Sequence, residues 1–357
     1  MSIQLLDAMV QGGFEEVLSM HDRKSGLRAF LAIHDTSVGP AFGGIRRFEY
    51  LDESQALLDV LRLSRAMTHK CALAGLPAGG AKLVLLDHAD LDRAEAYRHI
   101  GQRVEEFGGR FYTGPDVGTG PDELKAVAEK TSFVTDPGVA GPGDLAGATA
   151  DGVFAGLAAT LRQLDGEEDW TRRKVVIQGL GGVGERLAKR LVEVGVRVVG
   201  ADIDIERAER VARRLGIETV DPAREFGVEC DVFAPCAMGG ILHDVAIQRL
   251  KARAVAGAAN NVLAGVAHGD QLHRRGILYA PDFAINSGAL IRGALFHLNG
   301  ERESTGEIES RIGSAITHIL GQAADENLPP ARVALREAER MITMRRASSD
   351  SPPLLTP

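Results

Sequence analysis

The chain has 357 residues, 45% hydrophobic and 25% charged, with 42 glycines and a formal net charge of −8. This is the make-up of a globular protein, which excludes disordered and fibrous architectures. A net negative chain also lacks the positive footprint of a protein that tracks phosphate backbones, so nucleic acid is not an expected partner.

The length exceeds what one hydrophobic core usually organises and predicts two domains. The N-terminus carries no basic segment followed by an apolar run, so no signal peptide is expected. No stretch approaches 18 uncharged apolar residues, so no membrane partner is expected either. Cys71, Cys230 and Cys236 are too few and too scattered for a disulfide framework and lack the spacing of a zinc site. The expectation is a cytoplasmic protein without a metal.

In chain order, residues 16–21 and 27–34 have strand character and are joined by the turn-forming Asp22-Arg23-Lys24-Ser25-Gly26. Residues 54–70 place Ala56, Leu57, Val60, Leu61, Leu63 and Met67 close to helical spacing. A buried strand is expected over 81–86, a helix over 91–107 ending at Gly108-Gly109, and a strand over 110–113. From about residue 147 strands and helices alternate. Strands are expected at 174–178, 197–201, 218–220, 232–235, 254–258 and 278–280, the pattern of a doubly wound parallel sheet. Residues 301–346 read as helical, with Ile308, Ile312, Ile316, Ile319 and Leu320 facing the body, and 347–357 read as a disordered tail. The fold class is therefore α/β, with a mixed-sheet domain over 1–145, a Rossmann domain over 146–330, and a C-terminal helix packing back over 331–357.

After the strand at 174–178 comes Gly179-Leu180-Gly181-Gly182-Val183-Gly184, at the start of a helix. In such a G-x-G-x-x-G the first glycine makes the tight turn, the second admits a pyrophosphate to the backbone, and the third lets helix and strand pack. The helix N-terminus then directs free N–H groups at the anion. Asp202 ends the next strand, 23 residues beyond Gly179, where an acid accepts from an adenosine ribose and favours NAD over NADP. The competing reading is a glycine-rich turn that binds nothing.

Only eight of the 41 basic residues are lysines, which makes each more conspicuous. Lys70 and Lys82 stand at the two ends of a glycine-rich turn between a helix and a strand. Away from water and near another cation, a lysine amine loses its proton more readily, which suits acid–base work, while a second lysine can anchor a carboxylate. Asp116, in Thr113-Gly-Pro-Asp-Val-Gly-Thr, lies just past a strand end where functional loops collect. The plainer alternative is two solvated lysines and a turn-capping aspartate.

The blocks Gly39-Pro-Ala-Phe-Gly-Gly-Ile-Arg, Met67-Thr-His-Lys-Cys-Ala-Leu-Ala-Gly-Leu, Gly79-Gly-Ala-Lys, Thr113-Gly-Pro-Asp-Val-Gly-Thr, Gly179-Leu-Gly-Gly-Val-Gly, Asp231-Val-Phe-Ala-Pro-Cys-Ala-Met-Gly-Gly, Ala256-Gly-Ala-Ala-Asn-Asn and Tyr279-Ala-Pro-Asp-Phe-Ala-Ile-Asn-Ser-Gly follow in order. Together they resemble the glutamate/leucine/phenylalanine/valine dehydrogenase family, leucine/phenylalanine/valine branch. The resemblance implies NAD(P)-dependent oxidative deamination of an L-amino acid to a 2-oxo acid and ammonia, in a cleft between a substrate and oligomerisation domain and an NAD-binding domain. It also implies a homo-oligomer. On the matching positions Lys70 would hold the substrate carboxylate, Lys82 would activate water, and Asp116 would shuttle the proton of the amino group. Gly43 and Gly44 would flank the substrate. Asn261 would lie near substrate and nicotinamide, Thr149 beside the cofactor, and Cys236 and Ala237 at the cofactor edge through their backbone.

Glutamate-specific members carry a lysine before the Gly-Gly-hydrophobic-Arg block, where this chain has Phe42. A phenyl ring cannot pair with a side-chain carboxylate, so glutamate is not the expected substrate. The other pocket positions are Gly114, Leu290 and Gly293. Phe42 would narrow the pocket and the two glycines would widen it. The chain departs from the family at Ala81 in Gly-Gly-Ala-Lys, at Asn286-Ser-Gly-Ala, and in the loop over 138–149. The expected substrate is of leucine, valine or phenylalanine type. The alternatives are a biosynthetic aromatic dehydrogenase of tryptophan type and a silent amino-acid/NAD sensor on the same fold.

Overall fold

The computed structural model describes residues 4–135, 141–167 and 169–349. The chain divides into two compact units: Met1–Gly143 with Gly293–Arg302 and Ala338–Pro357, and Asp144–Arg292 with Glu303–Glu337. The segments at 293–302 and 338–349, which the sequence reading placed with the later domains, thus belong to the first unit.

The first unit contains α1 (Leu5–Gly12), β1 (Glu16–Asp22), β2 (Leu27–Asp35), β3 (Ala41–Phe42), β4 (Ile45–Phe48), α2 (Glu53–Leu73), β5 (Gly79–Leu86), α3 (Arg93–Glu106), β6 (Phe111–Tyr112) and α4 (Pro121–Ala128). The β1–β2 turn is closed by Asp22, whose carboxylate accepts from the backbone N–H and hydroxyl of Ser25 at 2.8 and 2.6 Å. The sheet runs β1-β2-β5-β3-β6, with β4 also paired to β5. The β1–β2 and β2–β5 pairs are antiparallel; β3 and β4 run parallel to β5.

Strand β5 is buried on both faces, which is why its sequence is almost continuously apolar. Val84 and Ala32 meet Ala56, Val60 and Leu61 of α2, while Leu83, Leu85, Leu31 and Ile33 meet Tyr97 and Ile100 of α3. The period-two alternation of the strands sorts these residues to opposite faces. Strands β3 and β4 are absent from the sequence reading because they are only two and four residues long and show no alternation.

The second unit opens with α5 (Leu145–Asp165), followed by β7 (Lys174–Gln178), α6 (Gly182–Glu193), β8 (Arg197–Ala201), α7 (Ile205–Leu215), β9 (Glu218–Thr219) and a short 3₁₀ turn (Pro222–Gly227). Then come β10 (Cys230–Pro235), α8 (Asp244–Arg249), β11 (Ala252–Val255), α9 (Val266–Arg274), β12 (Leu278–Tyr279), α10 (Asp282–Ile285), α11 (Gly288–Asn299), α12 (Thr305–Glu326) and α13 (Pro330–Ser349). The sheet order is β12-β11-β10-β7-β8-β9, parallel throughout. Its order reverses beside β7, so the C-terminal end of β7 is the topological switch point where such sheets bind ligands.

The helical stretch over 301–346 is two helices: Asn327 takes a left-handed φ of 53° at the end of α12, and Pro329-Pro330 restarts the chain. The expected tail begins later than residue 347, because α13 runs through Ser349. The remainder of the tail, and positions 138–140 of the altered loop, lie outside the described residues. Among the described residues no helix is long and apolar enough to cross a membrane.

Candidate active site

Lys82 sits on β5 opposite Ala32 and is only 5% exposed. Its Nζ lies 2.8 Å from Oδ2 of Asp116, in the loop after β6. The link between β3 and β4 places that loop against β5. Gly43 N–H donates to the Tyr112 carbonyl at 3.1 Å, Ile45 N–H to the Gly114 carbonyl at 3.0 Å, and the Gly44 carbonyl accepts from Leu83 N–H at 3.3 Å. A Cβ on Gly43 would overlap the Ala81 carbonyl oxygen, and one on Gly44 the Pro115 carbonyl oxygen. The visible work of these two glycines is therefore close packing that lets Lys82 meet Asp116. Ala81 is accommodated as an ordinary, fully buried strand residue paired with Ile33.

Asp116 Oδ2 accepts a second hydrogen bond, from Nε of Arg46 on β4 at 2.9 Å. Nη1 of Arg46 reaches Asp59 Oδ2 on α2 at 3.2 Å, and Asp59 also accepts from the Tyr50 hydroxyl and from Arg62, each at 2.7 Å. The sequence reading gave Arg46, Asp59, Tyr50 and Arg62 no role, although Arg46 closes the Gly-Gly-Ile-Arg block. Burial lowers the pKa of the Lys82 ammonium, an effect that Asp116 opposes and Arg46 reinforces. For Asp116, burial alone would raise the pKa, but Lys82 and Arg46 outweigh it and hold the carboxyl below its usual range. The result is an ammonium that gives up its proton more readily than an exposed lysine, beside a carboxylate that stays charged. Lys70 lies half-buried in the last turn of α2, which rests on β5 where Gly80 leaves no room for a Cβ beside Thr68.

In the second unit Gly179 turns the chain out of β7 with φ of 89°, which favours glycine. A Cβ on Gly184 would overlap the Gly179 carbonyl oxygen, whereas one on Gly181 would meet nothing within 4 Å. The third glycine is thus closed by packing and the second stands open, as a backbone that receives pyrophosphate requires. Leu180 N–H donates to Asp202 Oδ2 at 2.8 Å and Asp204 N–H to Oδ1 at 2.9 Å; Arg207 lies 3.4 Å from Asp202 and 3.1 Å from Asp204. Asp202 is buried, and both of its carboxylate oxygens shape the loop.

The loop from Cys236 through Ala237 joins this site: Cys236 Cβ would be 3.3 Å from a Cβ on Gly184, and Ala237 Cβ 2.6 Å from one on Gly179. Burial pushes the Cys236 thiol up to about 12, so its sulfur is not a nucleophile. Gly240 N–H donates to the Asn261 carbonyl at 2.7 Å. Asn261 is exposed with a left-handed φ of 51°, in a turn held by Asn286, whose Nδ2 donates to Asn260 Oδ1 at 2.8 Å. Gly182 and Val183 begin α6, and a Cβ on Gly182 would lie 3.8 Å from Ala146 of α5. Thr149, one turn further along α5, donates its hydroxyl to the Leu145 carbonyl at 3.0 Å. Beneath the loop, Gln178 Nε2 donates to Glu225 Oε1 at 2.5 Å, while Gln178 Oε1 and Glu225 Oε2 are buried without a partner. Among the described residues no group of three or more potential metal ligands is found.

The profile described as "Glu/Leu/Phe/Val dehydrogenase, dimerisation domain" matches residues 15–133, and "Glutamate/Leucine/Phenylalanine/Valine dehydrogenase" matches residues 201–346. The chain belongs to this dehydrogenase family. It is 40% identical to a leucine dehydrogenase of Geobacillus stearothermophilus over 97% of this chain and 96% of that one. It is 41% identical to a phenylalanine dehydrogenase of Bacillus thermotolerans over 93% and 89% respectively. The crystal structure of L-tryptophan dehydrogenase from Nostoc punctiforme matches with a TM-score of 0.84 at 36% identity, covering 96% of this chain and 99% of that one.

The dehydrogenase's expected side-chain pocket contains more than the sequence suggested. Phe42 is 3% exposed and stacks on Tyr112 with ring centroids 4.9 Å apart; Tyr112 also meets Phe133 at 5.3 Å and His297 at 4.7 Å. His297 shares a 3.1 Å hydrogen bond with Thr135 Oγ1, and burial lowers its pKa. Gly114 and Gly293 do not simply widen a pocket: a Cβ on either would stand 3.2 Å from the Thr135 side chain. Thr135 occupies the space that the two glycines leave. Leu290, three residues before Gly293 on α11, is half-buried in the second unit. Tyr112, Thr135 and His297 carried no signal in the sequence, because they converge from β6, the segment after α4 and α11.

Proposed function

We propose that this dehydrogenase oxidatively deaminates an apolar L-amino acid of leucine, valine or phenylalanine type to its 2-oxo acid and ammonia, with NAD as oxidant, and runs the reverse amination. The observation that carries the reading is the buried Lys82–Asp116 pair at 2.8 Å. An amine that releases its proton more readily than usual, beside a charged carboxylate, pairs a base with a proton carrier, which addition of water to an imine and departure of ammonia both require. Lys70 holds the substrate carboxylate. Lys82, once deprotonated, takes a proton from the water that adds to the imino carbon, and Asp116 carries a proton to the departing amino group.

The Gly179–Gly184 loop, Asp202, Thr149, the backbone of Cys236 and Ala237, and Asn261 hold the nucleotide. When bound, it supplies the acceptor for the hydride on the substrate α-carbon. Asp202 and Asp204 share Arg207, which leaves that corner net negative and opposes the 2′-phosphate of NADP. Phe42 offers no cation, and His297, inclined to be neutral, does not supply one. An unpaired glutamate side chain there would cost several kcal/mol, so the pocket favours apolar substrates.

The aromatic set of Phe42, Tyr112 and Phe133, with the likeness to a tryptophan dehydrogenase, supports a second reading in which an aromatic amino acid is preferred. A reduction screen of NAD and NADP over the twenty amino acids at alkaline pH decides. Leucine, valine or phenylalanine with NAD is the expected outcome, tryptophan leading would establish the second reading, and glutamate leading would refute the Phe42 argument. We further propose a homo-oligomer, supported by the match to a profile described as a dimerisation domain, and a cytoplasmic setting, supported by three free cysteines. Light scattering of the purified chain tests the first.

A further inference from the structure

Asp116 receives two cations on one oxygen, Lys82 Nζ at 2.8 Å and Arg46 Nε at 2.9 Å, both on Oδ2. Arg46 enters from β4, whose residues pair in parallel with β5, Ile45 opposite Leu83 and Arg46 opposite Val84. Its planar fork spans two carboxylates, Nε on Asp116 and Nη1 on Asp59, an arrangement that the single ammonium of a lysine does not reproduce. Asp59 is held in turn by the Tyr50 hydroxyl and Arg62. With both cations on Oδ2, Oδ1 is the oxygen left for proton exchange with a substrate.

We propose that Arg46 is a positioning residue for the deamination chemistry, which locks the Asp116 carboxylate and sets how firmly the Lys82–Asp116 pair holds a proton, with Asp59 as its counterweight. A guanidinium does not give up its proton in proteins, so its charge stays fixed through turnover. Every proton that the pair takes from water therefore meets a standing positive charge within about 6 Å, which favours passing it on to the substrate nitrogen. The charged or titratable groups that bear on Lys82 are Asp116, Arg46 and Asp59, with Arg46 lowering and the two carboxylates raising its pKa. Tyr50, pushed up by burial and by Asp59, stays uncharged.

This inference rests on the proposed reaction, and its test separates the two. The pH profile of kcat/KM for deamination reads the deprotonation of Lys82 in its acidic limb. Arg46→Ala is expected to move that limb to higher pH by about one unit, with kcat falling more than KM rises. Asp59→Asn is expected to move it the opposite way by less, and Arg46→Lys to keep the limb near its original place while kcat falls. Limbs that coincide in all variants, with activity losses that follow thermal stability, would reduce Arg46 to a structural brace and overturn the proposal. Should Arg46→Ala not fold, a limb that fails to move to lower pH in Asp59→Asn overturns it as well. A wild-type chain that deaminates no amino acid with either nucleotide refutes the proposed function itself, and the inference falls with it.

Discussion

In the first unit the candidate site consists of side chains gathered from β4, β5, α2 and the loop after β6, whereas in the second unit it is mainly backbone: a left-handed turn at Gly179, an open edge at Gly181 and the N-terminus of α6. A side-chain site is tuned by neighbouring charge and tolerates change in its surroundings only where that charge is kept. A backbone site is tuned by the volume of single residues. Substitutions should therefore fail differently in the two units.

The largest expected effect belongs to the first. Lys82→Ala should lower kcat for deamination by about 10²–10⁴-fold while leaving nucleotide affinity unchanged, as steady-state kinetics and nucleotide titration would measure. An equal loss of nucleotide affinity would break the division of labour. Within the second unit the glycines should separate: Gly184→Ala, whose methyl collides with the Gly179 carbonyl, should cost about 1–3 kcal/mol in denaturant unfolding. Gly181→Ala should leave stability within about 0.5 kcal/mol and instead raise the KM for the nucleotide, since its methyl points into open space.

The smallest effect concerns Gln178 and Glu225. Protonation of Glu225 would remove a buried charge beside two orphaned oxygens, and burial pushes that carboxyl up from 4.5 to about 7. The native state then binds a proton that the unfolded chain releases, so the stabilisation is full below the unfolded value and is lost as pH rises through about 7. Glu225→Gln, which mimics the protonated acid, should flatten the pH dependence of Tm over that range in calorimetry.

The same contrast explains what could be read in advance. The glycine-rich turn after β7 was legible because one contiguous run, followed by a strand that ends just before Asp202, holds nearly all of it. The hairpin of β1 and β2 and the six parallel strands were legible because turn chemistry and alternating apolar runs are local. Lys82 and Asp116 could be singled out by type and setting, but their contact depends on Gly43 and Gly44 threading between β5 and the following loop. Arg46 and Asp59 were silent because an arginine on a four-residue strand and an aspartate on a helix face read as ordinary surface charge. Thr135 reversed the simplest inference about Gly114 and Gly293, since volume left by a glycine is available only if no neighbour fills it.

The last turn of α13 reaches back to the start of the chain. Arg345 donates to the carbonyl of Ala72, in the last turn of the helix that carries Lys70, and to that of Leu76 just beyond it, and Arg346 pairs with Asp35 and the Gly13 carbonyl. These contacts join residues 269 to 333 positions apart, so they form only once residues 345 and 346 are available. The second unit has all its segments by Glu337, whereas the first still lacks the piece that begins at Ala338. The unit that carries Lys82 and Asp116 therefore depends on a segment that follows every segment of the second unit along the chain, and it is tied together by contacts of high sequence separation, which form slowly.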